Sequence, residues 1–235
     1  AQPPCKRSLD ESFGWAQRAF VDPLLTHSCP AAVSRDSAVD ALAHALEAIW
    51  NRHANPVSDN LALSAARRIL RSLPASLRDP QDRGLRAEIS LGALEAGLAF
   101  SQTRTALAHA LSYALTLEQG IPHGMACAIW LPSAWRLAHG RDKRVDSLLD
   151  QLFPRDGDGR LTEWLAGIGI DARPHAHVPR AQLARHARAR RAGRHGRVRR
   201  RAALAVALIA TVPLDAAFAR GGGGGGGFGG GGGGG

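Results

Sequence analysis

Cysteine is scarce in this sequence, since only Cys5, Cys29 and Cys127 occur among 235 residues. Their spacing matches neither a disulfide framework nor a cysteine-based metal site. A chain that does not depend on disulfides is typical of the reducing cytoplasm. Residues 1–15 are polar and charged and lack the apolar stretch of a secretion signal, so we expect a cytoplasmic location.

Apolar runs long enough to span a membrane are missing as well. The segment from Ala202 to Val212 is apolar and follows a cluster of arginines, which resembles a signal sequence placed inside the chain. It is too short to cross a bilayer, and Pro213 and Asp215 follow it directly. We therefore expect no membrane partner.

Acidic residues are absent from residues 173–201, which contain eleven arginines and four histidines. This segment accounts for the net charge of +10 and leaves residues 1–172 nearly neutral. The last fifteen residues are glycine except for Phe228. Neither composition can bury a core, so residues 173–235 are predicted to form a disordered tail that is arginine-rich, then apolar, then polyglycine. The charge belongs to this tail and does not predict specific nucleic-acid binding by the folded part.

Strand-like alternation of apolar and polar residues does not extend over any long stretch. Apolar residues recur instead at helical spacing, as in Val39, Leu42 and Leu46, and Ser37 is the predicted N-cap of that helix. Further helices are predicted over residues 56–72, 80–100, 103–116, 126–139, 141–153 and 161–168.

These patterns predict an all-α fold, in which residues 37–172 form a bundle of six to eight helices after a lead-in segment over residues 1–36. Pro74 is expected to end the second helix, because proline lacks the amide hydrogen that a helix interior needs. Residues 156–159, Asp-Gly-Asp-Gly, are expected to form a loop. The small residues between 90 and 100 would let a neighbouring helix approach closely.

Two pairs of polar residues interrupt these apolar helices: Asp40 with His44, and His109 with His123. Residues four apart share one helix face, so Asp40 and His44 can bind the same divalent cation. Two further imidazoles would complete its shell. One oxygen and three nitrogens suit Fe(II) or Zn(II), and the sequence does not distinguish between these ions.

Each of these residues also has a simpler interpretation. Asp40 lies three residues after Ser37 and fits the acidic position of a capping box. His44 or His109 alone would be a hydrogen-bonded core histidine, and His123 alone a residue that starts a helix. The metal interpretation depends on all four occurring together in apolar surroundings, where an unpaired polar group is costly.

Several segments together resemble the C-terminal helical domain of the iron-containing, group III alcohol dehydrogenases, a helical bundle of the dehydroquinate synthase-like type. The segments are Val21-Asp-Pro23, Asp40-Ala-Leu-Ala-His-Ala-Leu-Glu47, Asn55-Pro-Val-Ser-Asp59, Gly97-Leu-Ala-Phe-Ser101, His109-Ala-Leu-Ser-Tyr113 and Pro122-His-Gly124. The resemblance implies that the metal ligands are Asp40, His44, His109 and His123. It also implies that the ion polarises an alcohol or aldehyde oxygen while NAD(P) exchanges a hydride with the substrate carbon.

Tyr113 departs from the pattern of many family members, which have a histidine at this position. A phenol can donate a hydrogen bond or relay a proton, although its usual pKa of about 10 makes it a weak base at neutral pH. We expect Tyr113 to line the catalytic site. Together with residues 103–105, the Ser112-Tyr113 pair resembles phosphonoacetaldehyde reductases, which implies a small phosphonate-bearing substrate. Arg104 would then bind the anionic group, and the alternative is a solvated arginine at a helix start.

The largest departure is that no strand, glycine-rich turn and helix of a nucleotide-binding domain can be recognised. Residues 1–36 are therefore interpreted as a remnant of an interdomain region, and we expect a fragment with little dehydrogenase activity by itself. One alternative is a non-catalytic metal-binding fragment whose basic tail binds anionic polymers such as nucleic acid. Another is a metal-dependent hydrolase. A homodimer is compatible with the sequence, which does not determine the oligomeric state.

Overall fold

The computed structural model describes residues 18–177, and the regular elements in this range are all helical. They are a 3₁₀ turn over Pro23–Thr26 and the helices α1 Ala31–Ile49, α2 Pro56–Arg78, α3 Arg83–Thr103, α4 Leu107–Gln119, α5 His123–Ala128, α6 Leu131–Ala138, α7 Lys143–Leu149, α8 Gly157–Gly167 and α9 Pro174–His177. The prediction of an all-α bundle is confirmed, with eight helices between residues 18 and 172. Cys5 and the predicted tail beyond residue 177 lie outside the described residues. Among the described helices, none has the length and apolarity needed to cross a membrane.

Helix α1 lies at the centre of the bundle, where it packs against α2, α3, α4 and α5. All residues from 38 to 49 are buried except Asp40 and His44, which are partly exposed. The helix begins at Ala31, directly after Pro30, so the prediction that Ser37 is its N-cap is wrong. No helix-breaking residue lies between Ala31 and Ser37, so the helix can begin at the residue that follows Pro30. Asp40 lies in the third turn and is not part of a capping box.

Helix α2 contains Pro74 in its interior and continues to Arg78, so the prediction that Pro74 ends this helix is wrong. A proline cannot donate to the carbonyl four residues earlier, which here belongs to Leu70. The indole N–H of Trp164, in α8, donates to that carbonyl at 2.9 Å. The carbonyl therefore stays paired, and the helix tolerates the proline.

Trp164→Phe is expected to lower the free energy of unfolding by about 1–3 kcal/mol, because the Leu70 carbonyl loses this donor. In a Pro74→Ala background the new amide hydrogen can bond to the same carbonyl, so the same tryptophan substitution should cost less. Urea unfolding of the four proteins measures this coupling. Equal costs in the two backgrounds would contradict the proposed compensation.

Helix α3 packs against α2, and Gly92 lies in the contact between them. A Cβ at this position would lie 3.0 Å from the Ile69 side chain and 3.3 Å from the Ala65 carbonyl oxygen. A Cβ at Gly97 would have no heavy atom within 4 Å. The prediction that small residues allow a close helix approach is therefore confirmed at Gly92 and wrong at Gly97.

Helices α5, α6 and α7 are shorter than the predicted helices, whereas α8 is longer than the predicted helix over 161–168. The predicted helix over 126–139 is divided into α5 and α6. Pro132, in the first turn of α6, explains the break, because it cannot donate to the Ala128 carbonyl and its ring clashes with a continuous helix. Within the predicted loop 156–159, α8 begins directly after Asp156, whose φ of 50° is left-handed. That prediction is therefore wrong for all but the first residue.

Candidate metal centre

Three helices bring four side chains together around one point. Asp40 is on α1, His109 is in the first turn of α4, and His123 and Cys127 are on α5. Asp40 Oδ1 lies 3.4 Å from His109 Nε2 and 3.7 Å from His123 Nε2. The Sγ atom of Cys127 lies 3.8 Å from His123 Nε2. One donor atom from each of the four residues lies within 4.8 Å of the other three.

His109 is 3 % exposed and is held in one orientation. Its Nδ1 lies 2.8 Å from Oε2 of Glu47, and because a carboxylate accepts, the Nδ1–H donates. The Nε2 lone pair of the neutral ring is then directed at Asp40 Oδ1. Neither of these two buried atoms has a hydrogen-bond partner. Two acceptors facing each other are unfavourable unless a proton or a metal cation lies between them.

Glu47 is fully buried and is not among the site residues predicted from the sequence. Its carboxylate accepts hydrogen bonds from the N–H groups of Ala106 at 2.6 Å and Ala108 at 2.5 Å. It thereby caps the start of α4, where the N-cap residue Ala106 has no side chain for this role. The available signal was its position seven residues after Asp40, which places both on one face of α1.

His123 is oriented by a second buried residue, Ser112. The Ser112 hydroxyl donates to the His109 carbonyl at 2.8 Å. Its oxygen lies 3.4 Å from His123 Nδ1 and accepts from the ring N–H. His123 Nε2 is then an acceptor directed towards Asp40, as His109 Nε2 is. Both imidazoles therefore present the tautomer that binds a metal through Nε2.

Gly124 determines how closely α5 approaches α1. A Cβ at this position would overlap the backbone carbonyl oxygen of Asp36 and would lie 3.0 Å from the Cβ of Asp40. Glycine is the residue that permits such a close approach of two backbones. The adjacent His123 is brought within reach of Asp40 as a result.

The charges of the cluster favour a bound cation. Burial lowers the pKa of His109, but its contacts with Asp40, Cys127 and Glu47 outweigh burial and raise that pKa to about 12. Burial raises the pKa of Asp40, but His109 and the neighbouring imidazoles hold it below its usual value. Burial raises the pKa of the Cys127 thiol above its usual value. Without a metal ion His109 would hold a proton between two carboxylates, and a divalent cation can take the place of that proton.

His44, the remaining predicted ligand, lies beside the cluster and is not one of the four grouped donors. Its ring is stacked on Phe100 and on His109, with centroid distances of 4.2 and 4.3 Å. Tyr113 lies on α4, four residues after His109. Its partly buried ring is stacked with His123 at a centroid distance of 6.3 Å.

Arg104 follows α3 and is exposed. Its φ of 75° is in the left-handed region, which an arginine rarely adopts. Its backbone N–H donates to the carbonyl of Phe100 at 2.7 Å, and its own carbonyl accepts from Asn51 Nδ2 at 3.0 Å. These two bonds fix the backbone of Arg104 one turn after Phe100, whose ring stacks on His44.

Cys127 was not predicted as a ligand, because the three cysteines have no metal-type spacing among themselves. Its position four residues after His123, on the same face of α5, is the signal that could have identified it. Carboxylate oxygen, imidazole nitrogen and thiolate sulfur are all donors for divalent transition metals. The donor set and the unpaired atoms of Asp40 and His109 therefore fit such an ion.

Residues 34–169 match the C-terminal part of the Fe-containing alcohol dehydrogenase family. The long-chain-alcohol dehydrogenase 1 of Geobacillus thermodenitrificans is 42% identical over 117 residues, which cover 50% of this chain and 30% of that protein. The 1,3-propanediol dehydrogenase of Citrobacter freundii is 36% identical over 153 residues, which cover 64% of this chain and 39% of that protein.

The fold is also similar to the crystal structure of sulfoacetaldehyde reductase from Bifidobacterium kashiwanohense in complex with NAD+. The TM-score is 0.68 at 25% identity, over 82% of this chain and 54% of that chain. The chain spans less than half the length of the two curated relatives. Because the family match covers more than half of the residues and coincides with the helices that carry the cluster, this chain belongs to the iron-containing alcohol dehydrogenase family of oxidoreductases and matches its C-terminal domain.

Proposed function

We propose that the described residues form the metal-binding half of an NAD(P)-linked alcohol dehydrogenase or aldehyde reductase. The observation that supports this most directly is that buried acceptor atoms of Asp40 and His109 face each other without partners, beside His123. The proposed ion is Fe(II), with Zn(II) as the alternative. When bound, it would supply a Lewis acid for an alcohol or aldehyde oxygen, while NAD(P) would accept or donate the hydride.

The proposed ligands are Asp40, His44, His109 and His123. Glu47 fixes the tautomer of one imidazole through its hydrogen bond to His109 Nδ1. The ring of His44 would have to rotate out of its stack on His109 to bring a nitrogen into the shell.

Tyr113 has a separate role in this proposal. Its ring is stacked with His123, so its hydroxyl is carried at the edge of the metal site. We assign that hydroxyl to hydrogen bonding with the substrate oxygen and to proton relay. The nucleotide would be bound by residues outside the described range, since the described residues 18–177 contain no strand, turn and helix for a pyrophosphate.

The proposal predicts one bound divalent ion per chain. Asp40→Ala and His109→Ala should each weaken Zn(II) and Fe(II) binding by at least about 100-fold, since loss of a mere supporting residue already costs about 10–100-fold. Competition titration with a chelating dye measures these affinities. His175→Ala, which changes an exposed histidine, is the matched control and should bind as the unsubstituted chain does. If metal binding survived both of the first two substitutions unchanged, the proposed site would be wrong.

We further propose that the substrate is a small alcohol or aldehyde with an anionic group such as a phosphonate. The support is the cationic side chain of Arg104, an exposed residue one turn after Phe100, and the similar fold of a reductase whose name describes a sulfonate-bearing aldehyde.

The Co(II)-loaded chain should therefore bind 2-hydroxyethylphosphonate more tightly than ethanol, as followed by its visible absorption. Arg104→Gln should reduce the ratio of the two affinities about fivefold, which is the scale of an exposed ion pair. The backbone strain at this position should not change. Arg141→Gln, at another exposed arginine, is the control. Equal affinity for the two alcohols would refute the anionic substrate.

A further inference from the structure

A pocket of about 360 Å³ opens on α2, a helix that carries none of the residues of the metal centre. All of its lining residues belong to this helix: Asn60, Leu63, Ser64, Arg67, Arg68 and Arg71. Its volume is at the lower end of the range for small-molecule sites, which is about 300–1,000 Å³. Three of the six side chains are cationic and two more are polar, so the lining favours a small anion.

One of the three arginines already has anionic partners. The guanidinium of Arg68 lies 2.6 Å from the carboxylate of Glu88 and 3.2 Å from that of Glu95, both on α3. Neither carboxylate is among the lining residues of the pocket. Arg68 therefore ties α2 to α3 and forms a wall of the pocket, while the other two arginines are its available cations.

Arg67 and Arg71 have no carboxylate partner within residues 18–177. They lie one turn apart on the same face of α2, and both are exposed. Arg67 donates to the neutral side-chain oxygen of Gln151 at 2.9 Å, and Arg71 makes no hydrogen bond or ion pair with the described residues. Like charges four residues apart on a helix repel each other. An anion held by both guanidinium groups would remove that repulsion.

Two neutral polar side chains continue this face towards the start of α2. The Ser64 hydroxyl has no hydrogen-bond partner in the described part of the chain. Asn60 uses its side-chain N–H to donate to the Pro56 carbonyl at 2.9 Å, which leaves its side-chain oxygen as an acceptor. A ligand with an anionic group at one end and hydroxyl groups at the other matches this order of side chains.

We propose that this pocket binds a small phosphomonoester that also carries hydroxyl groups. The guanidinium groups of Arg67 and Arg71 donate to the phosphate oxygens, which they match in charge and in geometry. Ser64 and Asn60 bond to the hydroxyl groups, and Leu63 contacts the carbon chain. The metal ligands proposed above lie on α1, α4 and α5, so binding at α2 requires neither the metal ion nor the dehydrogenase activity.

The test is a titration of the full chain with glycerol 3-phosphate, followed by the NMR chemical shifts of backbone amides and arginine side chains. Signals of residues 60–71 should shift and reach saturation. Arg71→Gln should weaken this binding by about tenfold, the lower end for a hydrogen bond to a charged group. Combining it with Arg67→Gln should give a loss of about 100-fold. Arg78→Gln, at an exposed position of α2 outside the pocket, is the matched control and should leave the affinity unchanged.

Two further probes separate the parts of the ligand. Glycerol lacks the charge and should not shift these signals. Inorganic phosphate should bind about fivefold more weakly than glycerol 3-phosphate, because it lacks the carbon-bound hydroxyl groups that bond to Ser64 and Asn60. Ser64→Ala should weaken the binding of glycerol 3-phosphate and leave that of inorganic phosphate unchanged.

The arginine-rich segment over residues 173–201 also attracts phosphate, but its signals are separate from those of α2. Shifts confined to that segment, or shifts of α2 that survive the double arginine substitution, would overturn the pocket. Equal affinity for inorganic phosphate and glycerol 3-phosphate would overturn the hydroxyl-bearing ligand. A chain that binds glycerol 3-phosphate at α2 but no divalent ion would refute the proposed function alone.

Discussion

Glu47→Gln is expected to lower the free energy of unfolding by about 3–5 kcal/mol, because it breaks a buried charged network from one side. The carboxylate accepts hydrogen bonds from the amides of Ala106 and Ala108 and from Nδ1 of His109. Glutamine has nearly the same shape, but one of its terminal atoms is a donor and must face one of these donors. Urea unfolding measures the difference.

The same substitution should weaken metal binding by about 10–100-fold, since the neutral amide is a weaker acceptor than the carboxylate for the Nδ1–H of His109. The nitrogen chemical shifts of the His109 ring separate this positioning role from a loss of stability. In the metal-free chain they should show a His109 ring that stays protonated at neutral pH, because its pKa is about 12, and a lower His109 pKa in the variant. Glu163→Gln, at an exposed position of α8, is the control and should change stability by no more than about 0.5 kcal/mol. Unchanged ring shifts in Glu47→Gln would show that Glu47 does not position His109.

Gly124→Ala is expected to cost at least about 3 kcal/mol of unfolding free energy, the upper end of what overpacking costs. The new Cβ would overlap the backbone carbonyl of Asp36, which cannot rotate out of the way as a side chain can. Helix α5 would have to move off α1 and carry His123 away from Asp40. Metal affinity should therefore fall together with stability, as measured by urea unfolding and metal titration.

Gly97→Ala is the matched control for this substitution, because it makes the same change inside another helix. A Cβ at Gly97 would meet no heavy atom within 4 Å. Alanine should therefore stabilise α3 by about 0.5–1 kcal/mol through its lower backbone entropy, and metal affinity should not change. If the two substitutions changed stability in the same direction and by similar amounts, close packing at Gly124 would not be the cause.

The helices were predictable because apolar spacing is a local property, whereas their ends depend on distant contacts. The spacing of Val39, Leu42 and Leu46 predicts α1, which the structure contains. Pro74 has the local signature of a helix end, and α2 continues past it because Trp164 of α8 supplies a donor for the freed carbonyl. A contact between residues so far apart in the chain cannot be read from the sequence around the proline.

The metal centre was predictable in part for the same reason. Polar residues in otherwise apolar helices can be recognised from the sequence. The structure brings three of them together: Asp40, His109 and His123. Glu47 has no unusual local pattern, and its importance comes from the start of α4 lying beside it. Cys127 looks isolated when compared with the other cysteines, and only the packing of α5 places its sulfur among the donors.

Residue spacing along the chain is therefore enough to define an all-α bundle and the polar residues within it, because both follow from the period of a single helix. The choice of donors that share one point depends on distances between helices. Gly124 lets α5 rest on α1 and places the Cys127 sulfur in the cluster, while Phe100 stacks on His44 outside that group. Such distances arise from the close packing of side chains on different helices, which no periodicity encodes.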